Sequence, residues 1–182
     1  MTALTFDDDE LSAIAREFGA SEKDLRRAYA RALSRTARTM RTRARKALRE
    51  GLDVRAAAVL KARLRLSKFK PRGTLLGGAR LWVGANPLPA TAFKGRPRQT
   101  AGGVSVGGRE FPGAFVGTGK DSGTRQVFRR AGRTRLPIFR ETAATQEDVN
   151  RILEQGVFDD MSRTFFKNFR AEVRARTIFG VG

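Results

Sequence analysis

Residues Ser21–Gly51, SEKDLRRAYARALSRTARTMRTRARKALREG, decide how this chain is to be read. Arginine recurs there every three or four positions, at Arg27, Arg31, Arg35, Arg38, Arg41, Arg45 and Arg49. At roughly 100° per residue these positions fall in one sector of a helix, while Leu25, Tyr29, Ala32, Leu33, Met40, Ala44 and Ala47 gather opposite. The spacing predicts a single amphipathic helix whose guanidinium face is about 33 Å long at 1.5 Å rise per residue. Ser21 with Asp24 three positions later has the form of a capping box, and Glu50-Gly51 marks the end.

Most charged helix faces are simply solvated. This row differs in density: no acidic residue falls between Arg26 and Arg49, and like charges one turn apart repel. A free surface would dilute such a row with glutamate, so the pattern favours a partner that neutralises it, either phosphate or an acidic protein face. Nothing in the row reads base sequence. Zinc-finger spacing, an aromatic RNA-binding strand motif and a short recognition helix with base-reading side chains are all missing from the sequence.

Outward from this helix, Asp7 to Glu10 can cap a short helix that runs through Phe18 and stops at Gly19. On the other side Asp53 is expected to cap a further helix from Val54 to about Leu66, with Ala57, Leu60 and Leu64 on its apolar face. From Pro71 helical periodicity gives way to β-prone runs between turn signals. The strands expected are Ala79–Val83, Val104–Val106, Ala114–Val116, Arg125–Arg129 and Pro137–Phe139, with Gly107-Gly108 as a two-residue hairpin turn. Asn86 to Gly103, with Pro87, Pro89 and Pro97 and little apolar material, reads as a long loop or arm. Thr145 with Asp148 resembles another capping box, opening a second long helix marked by Val149, Ile152, Leu153, Val157, Met161, Phe165, Phe169, Val173 and Ile178. Phe165 and Phe169 sit at helical spacing in a near-neutral segment, which assigns them to the core or a subunit interface rather than to base stacking.

The fold expected is therefore α+β, with long N- and C-terminal helices packed on a small, mainly antiparallel sheet and an extended Gly/Pro-rich loop. At 182 residues it is expected to form one domain, 1–182, divided into a helical part (1–70), a β-rich part (71–140, with the loop 86–103) and a C-terminal helix (141–182).

The formal charge of +19, from 37 basic and 18 acidic residues, makes isolated copies repel and seek anionic partners. It is unevenly spread: residues 1–24 hold two basic and seven acidic groups, 25–72 seventeen and two, 73–140 twelve and two, and 141–182 six and seven. Acidic ends around a basic middle suit head-to-tail packing of copies, and also a DNA-binding protein with acidic ends. With no cysteine and no histidine the chain lacks thiolate chemistry, the usual general base and the commonest metal ligand. Gly119-Lys120 departs from a phosphate-binding loop at two places, Ala114 where the first glycine is needed and Asp121 where Ser or Thr would hold magnesium. Asp7, Asp8 and Asp9 at the terminus, and the adjacent Asp159-Asp160, do not converge as a metal site does; capping and salt bridging are expected of them. No enzymatic activity, catalytic residue, metal or cofactor is expected. The acidic start lacks the basic region of a signal peptide and no apolar run spans a membrane, which places the protein in the cytosol or in a particle assembled there.

Several short blocks in order resemble the minor tail protein Z family of lambda-like long-tailed bacteriophages. They are Arg31-Ala32-Leu33-Ser34-Arg35-Thr36-Ala37, the basic-apolar stretch Arg55 to Leu66 read as a helix, Gly103-Val104-Ser105-Val106, Phe111-Pro112-Gly113-Ala114-Phe115, Gln126-Val127-Phe128-Arg129-Arg130 and Arg135-Leu136-Pro137-Ile138. The resemblance covers roughly residues 28–140, and the Phe-Pro-Gly-Ala-Phe block is its most specific part. It implies a virion structural protein at the head-proximal end of the tail, assembled in the host bacterial cytoplasm and acting in tail completion and head–tail joining. The implied partners are further copies in a ring, tail terminator and tail tube or head-connector proteins, and duplex DNA in the lumen; no membrane is implied. Phe111, Pro112, Gly113, Ala114, Phe115, Phe128, Arg129, Arg135 and Pro137 are then motif positions with a structural role. The competing expectation is a free, sequence-nonspecific nucleic-acid-binding protein using the basic helix face.

Overall fold

The structure is a computed structural model that describes residues 8–69, 78–119 and 123–180. Asp7 as a cap, Pro71 as the point of change, and the Lys120 and Asp121 positions lie outside the described residues. The helices are α1 Asp8–Glu17, α2 Glu22–Gly51, the one-turn α3 Ala58–Lys61, α4 Gln146–Gly156 and α5 Met161–Thr177. The strands are β1 Leu64–Phe69, β2 Gly78–Val83, β3 Leu88–Pro89, β4 Arg98–Thr100, β5 Gly103–Val106, β6 Arg109–Pro112, β7 Ala114–Thr118, β8 Arg125–Arg130, β9 Ile138–Arg140 and β10 Thr142–Ala143. A 3₁₀ turn covers Ala90–Ala92. The class is α+β.

By internal contacts the chain divides into two compact units. One comprises Met1–Ala44, Leu64–Val83 and Leu153–Gly182, the other Arg45–Arg63 and Gly84–Ile152. The core of the first unit is helical. Leu11 and Ile14 of α1, Ala28, Tyr29 and Ala32 of α2, and Phe165, Phe169 and Val173 of α5 form one buried cluster, closed by Phe18, Leu25, Leu33 and Phe166. The Tyr29 ring lies edge-on to Phe165 at 5.3 Å and to Phe169 at 6.4 Å, and the two phenylalanine rings stack at 5.8 Å. α2 carries the stripe that its sequence demands: Tyr29, Ala32, Met40 and Ala44 are buried, as are Ala28, Thr36, Ala37 and Leu48 beside them. At its start the Asp24 amide donates to Ser21 Oγ at 3.2 Å, and the Ser21 hydroxyl donates to the Asp24 carboxylate. Beyond the end of α1, Gly19 takes a φ of 56°, the left-handed closure that glycine permits.

The second unit is built from short antiparallel pairings, β4-β5-β6, β7-β8-β9 and β10-β3. Leu88, Phe93, Val104, Val106, Phe111, Ala114 and Val127 are buried. β5 and β6 are joined at Gly107 and Gly108, with φ of 58° and 77°, as a two-residue turn between the paired Val106 and Arg109. The Gln99 amide nitrogen donates to the Gly103 and Ala114 carbonyls at 2.8 and 3.3 Å, and its oxygen accepts from the Val116 amide at 3.1 Å, tying β4 to β7.

Four expectations need correction. The helix from Val54 to Leu66 is replaced by the single turn α3 and the strand β1. Asp53 sits at φ 54°, its carboxylate meets Lys94 Nζ at 2.6 Å instead of capping a helix, and the Arg55 amide donates to Ala92 O at 2.8 Å. Leu64-Arg65-Leu66-Ser67 then follows the period of a strand, with Leu64 and Leu66 turned inward, Arg65 and Ser67 outward, and Leu64 opposite Val83.

Asn86 to Gly103 is not a free arm. β3 pairs β10, β4 pairs β5, and Leu88, Ala90, Ala92 and Phe93 are buried. The sheet is not single but four separate antiparallel groups, the β1–β2 ribbon being the fourth. The second long helix is broken between Gly156 and Met161. The Val157 and Phe158 amides both bond the Leu153 carbonyl at 3.2 Å, and Asp160 at the start of α5 turns its carboxylate to Arg43 and Arg163, each at 3.3 Å.

Candidate interface for an anionic partner

α2 positions the arginine row because its opposite stripe is fixed in the core, which leaves Arg27, Arg31, Arg35, Arg38, Arg41, Arg45 and Arg49 all exposed. Arginines off the row behave differently. Arg26 pairs with Glu22 at 2.5 Å and Arg43 with Asp160 at 3.3 Å. Within the row, Arg35 Nη1 donates to Glu172 Oε1 at 2.9 Å, across to α5. Among the described residues Arg27, Arg31, Arg38, Arg41, Arg45 and Arg49 have no carboxylate within ion-pairing distance. Among the described residues, acids thus meet the arginines beside the row while six members of the row face none.

Lys68 of β1 belongs with this surface and escaped the sequence reading. Its Nζ donates to Ser34 Oγ at 2.6 Å, and Ser34 lies between Arg31 and Arg38 on the same side of α2. No pattern around Lys68 in the sequence signals this, because its place depends on the β1–β2 ribbon. A row of guanidinium groups with one ammonium beside it can hold phosphates or carboxylates at a spacing of about one helical turn. Among the described residues there is no cluster of three or more Asp or Glu that could hold a metal ion, and no helix long and apolar enough to cross a membrane.

The motif positions lie in the second unit, some buried and some exposed. Phe111 and Ala114 are buried. Gly113 between them, at φ 69°, takes a turn in which its amide donates to Gly102 O at 2.8 Å, while Pro112 stays exposed. Phe115 lies 6.0 Å from Phe128 and beneath the Arg130 guanidinium at 5.3 Å. Arg129 grips the Glu141 carboxylate through two nitrogens, Nε at 3.1 Å. The Arg135 carbonyl accepts from Arg130 Nη1 at 2.8 Å, and Pro137 follows a cis bond from Leu136. Phe165 and Phe169 are fully buried in the first unit. Comparison with protein-family models, with curated proteins and with solved structures found no match. The resemblance to the minor tail protein Z family accordingly rests on the short sequence blocks.

Proposed function

We propose that this chain is a structural, non-enzymatic protein of a tailed-phage particle or prophage, a ring subunit at the head-proximal end of the tail that acts in tail completion and head–tail joining. The observation that carries the reading is the row on α2, six exposed arginines with no carboxylate at ion-pairing distance among the described residues, on a helix whose opposite stripe is buried. A face of that kind is costly in isolation and stable against a matching anionic surface, which a lumen holding DNA or the acidic wall of a neighbouring ring would supply. The sequence blocks shared with the family support the same setting, and the absence of histidine and cysteine from the sequence agrees with a geometric rather than chemical task.

The deciding experiment mixes the purified chain with isolated tails that lack it and follows their joining to filled heads by electron microscopy. Restored joining is the expected result, and it is lost when Arg31, Arg38 and Arg41 are replaced by glutamate. The competing reading, a free nucleic-acid-binding protein, requires tight duplex binding by the isolated chain. Six or more phosphate contacts would give a log–log salt slope of about −5 or steeper. Such binding together with indifference to tails would overturn the proposal.

A further inference from the structure

The β1–β2 ribbon has two unlike faces. Leu64, Leu66 and Lys68 of β1 lie on one, opposite Val83, Leu81 and Ala79 of β2, and Lys68 ties that face to Ser34 of α2. Strand alternation puts Arg65 and Ser67, with their cross-strand partners Trp82 and Arg80, on the other face. All four are exposed. Trp82, the single tryptophan of the chain, keeps 45% of its surface open, and the Arg65 guanidinium lies over its ring at 5.7 Å. This face turns away from α2, so it is not a continuation of the arginine row.

Its charge has one sign. No acidic residue occurs between Asp53 and Glu110 in the sequence, and Arg65 has no carboxylate within ion-pairing distance among the described residues. The complementary ligand is therefore an anion, and the indole decides which kind. A tryptophan that anchors a protein interface is packed in a desolvated pocket. Trp82 stands instead among polar side chains, Arg65, Ser67 and Arg80, and an open ring beside guanidinium groups matches a base with its phosphates. Bases inside a duplex are already stacked on one another, so the ring can receive one only from an unpaired strand. We propose that the outer face of the β1–β2 ribbon is a stacking platform for single-stranded nucleic acid, where a base lies on Trp82 and Arg65 and Arg80 hold the adjoining phosphates. Stacking of this kind tolerates any base, because every base has a π-face. The inference goes beyond the tail-joining reading and uses no residue of the α2 row.

The test uses the full chain at about 0.15 M salt, where long-range attraction of a charge of +19 for any polyanion is damped. Emission of Trp82 is followed as unlabelled oligothymidylate of about twelve nucleotides is added, and affinity is measured by anisotropy with a labelled copy. Since no other tryptophan is present, quenching reports on this face. Saturable quenching is expected, at the midpoint of the anisotropy change. Trp82→Ala should weaken binding about fivefold or more, and Trp82→Phe, which keeps a ring, by no more than about threefold. A hairpin duplex of equal length should quench little, and Trp82→Ala should leave its affinity unchanged. Circular dichroism verifies the fold of both variants, and the quenching itself needs no variant. Absence of binding, binding without quenching, or quenching by the duplex as full as that by the single strand would each overturn the proposal. So would equal quenching by a polyglutamate peptide, which would assign the face to acidic protein. The tail-joining experiment is decided separately, since it turns on Arg31, Arg38 and Arg41.

Discussion

Arg35 on α2 and Glu172 on α5 are joined at 2.9 Å, and the second oxygen of the same carboxylate holds Arg176 at 2.8 Å one turn further along. Glu172 therefore serves two guanidinium groups of unequal burial, since the Arg35 side chain is 61% exposed and that of Arg176 is 2% exposed. Arg176 Nε is itself buried without a partner among the described residues, so its charge depends on Glu172. Removing one member of a buried pair leaves an uncompensated charge, at a cost of about 3–5 kcal/mol. Arg35 is exposed, and its loss leaves Glu172 still paired with Arg176, so that replacement costs only about 0–1 kcal/mol. Urea unfolding is expected to show Glu172→Ala near the first figure and Arg35→Ala near the second; similar losses in both would refute the assignment.

The same contact changes how the row should be tested. Arg35 has a structural partner, so its replacement mixes two effects, whereas Arg31, Arg38 and Arg41 have no carboxylate at hand among the described residues. Substituting those three with glutamine should alter stability by no more than about 0.5 kcal/mol each, and relief of like-charge repulsion makes a small gain the expected sign. If phosphates are the partner, the salt slope of duplex binding falls by roughly one for each arginine lost. An unchanged slope, with loss of binding to tail components, would assign the row to acidic protein.

Phe169 is fully buried, stacked on Phe165 at 5.8 Å and edge-on to Tyr29 at 6.4 Å. Phe169→Ala removes this packing and leaves a cavity that fixed helices cannot close, at a cost of about 3–5 kcal/mol. Thermal unfolding of the variant is the measurement. A loss below about 1 kcal/mol would mean that the cluster is loosely packed.

The helices were legible where one signal dominated. The period of α2, its box at Ser21 and Asp24 and its apolar stripe all agree, and the Gly107-Gly108 turn is equally explicit. Reading failed where a short segment could satisfy two periods. Ala57, Leu60 and Leu64 fit a helix face, but Leu64 and Leu66 fit a strand as well, and pairing with Leu81 and Val83 decides between them. Asn86–Gly103 reads as a loop because its prolines and glycines outweigh Leu88 and Phe93 locally, although those two side chains are buried. Of the candidate interface, the arginine spacing gave the row; the addition of Lys68 and the diversion of Arg35 to Glu172 depend on contacts between residues 34 and 137 positions apart. No local pattern carries such information.

Gly107 and Gly108 separate two costs that a turn glycine can carry. Both lie in the left-handed region, where a non-glycine residue costs about 1–2 kcal/mol and asparagine less. At Gly108 a Cβ would meet nothing within 4 Å, while at Gly107 it would collide with the Lys94 carbonyl oxygen, a backbone atom that cannot swing aside. Gly108→Asn is therefore expected within about 0.5 kcal/mol of the wild type and Gly108→Ala at about 1 kcal/mol below it. Gly107→Asn has the same backbone tolerance and still meets the carbonyl, so it should lose upward of about 3 kcal/mol as the contact between the turn and Lys94 is forced open. Denaturant midpoints for the three variants provide the check. Equal losses for asparagine at the two positions would show that conformational strain alone governs the turn and that the approach of Lys94 to it is not tight.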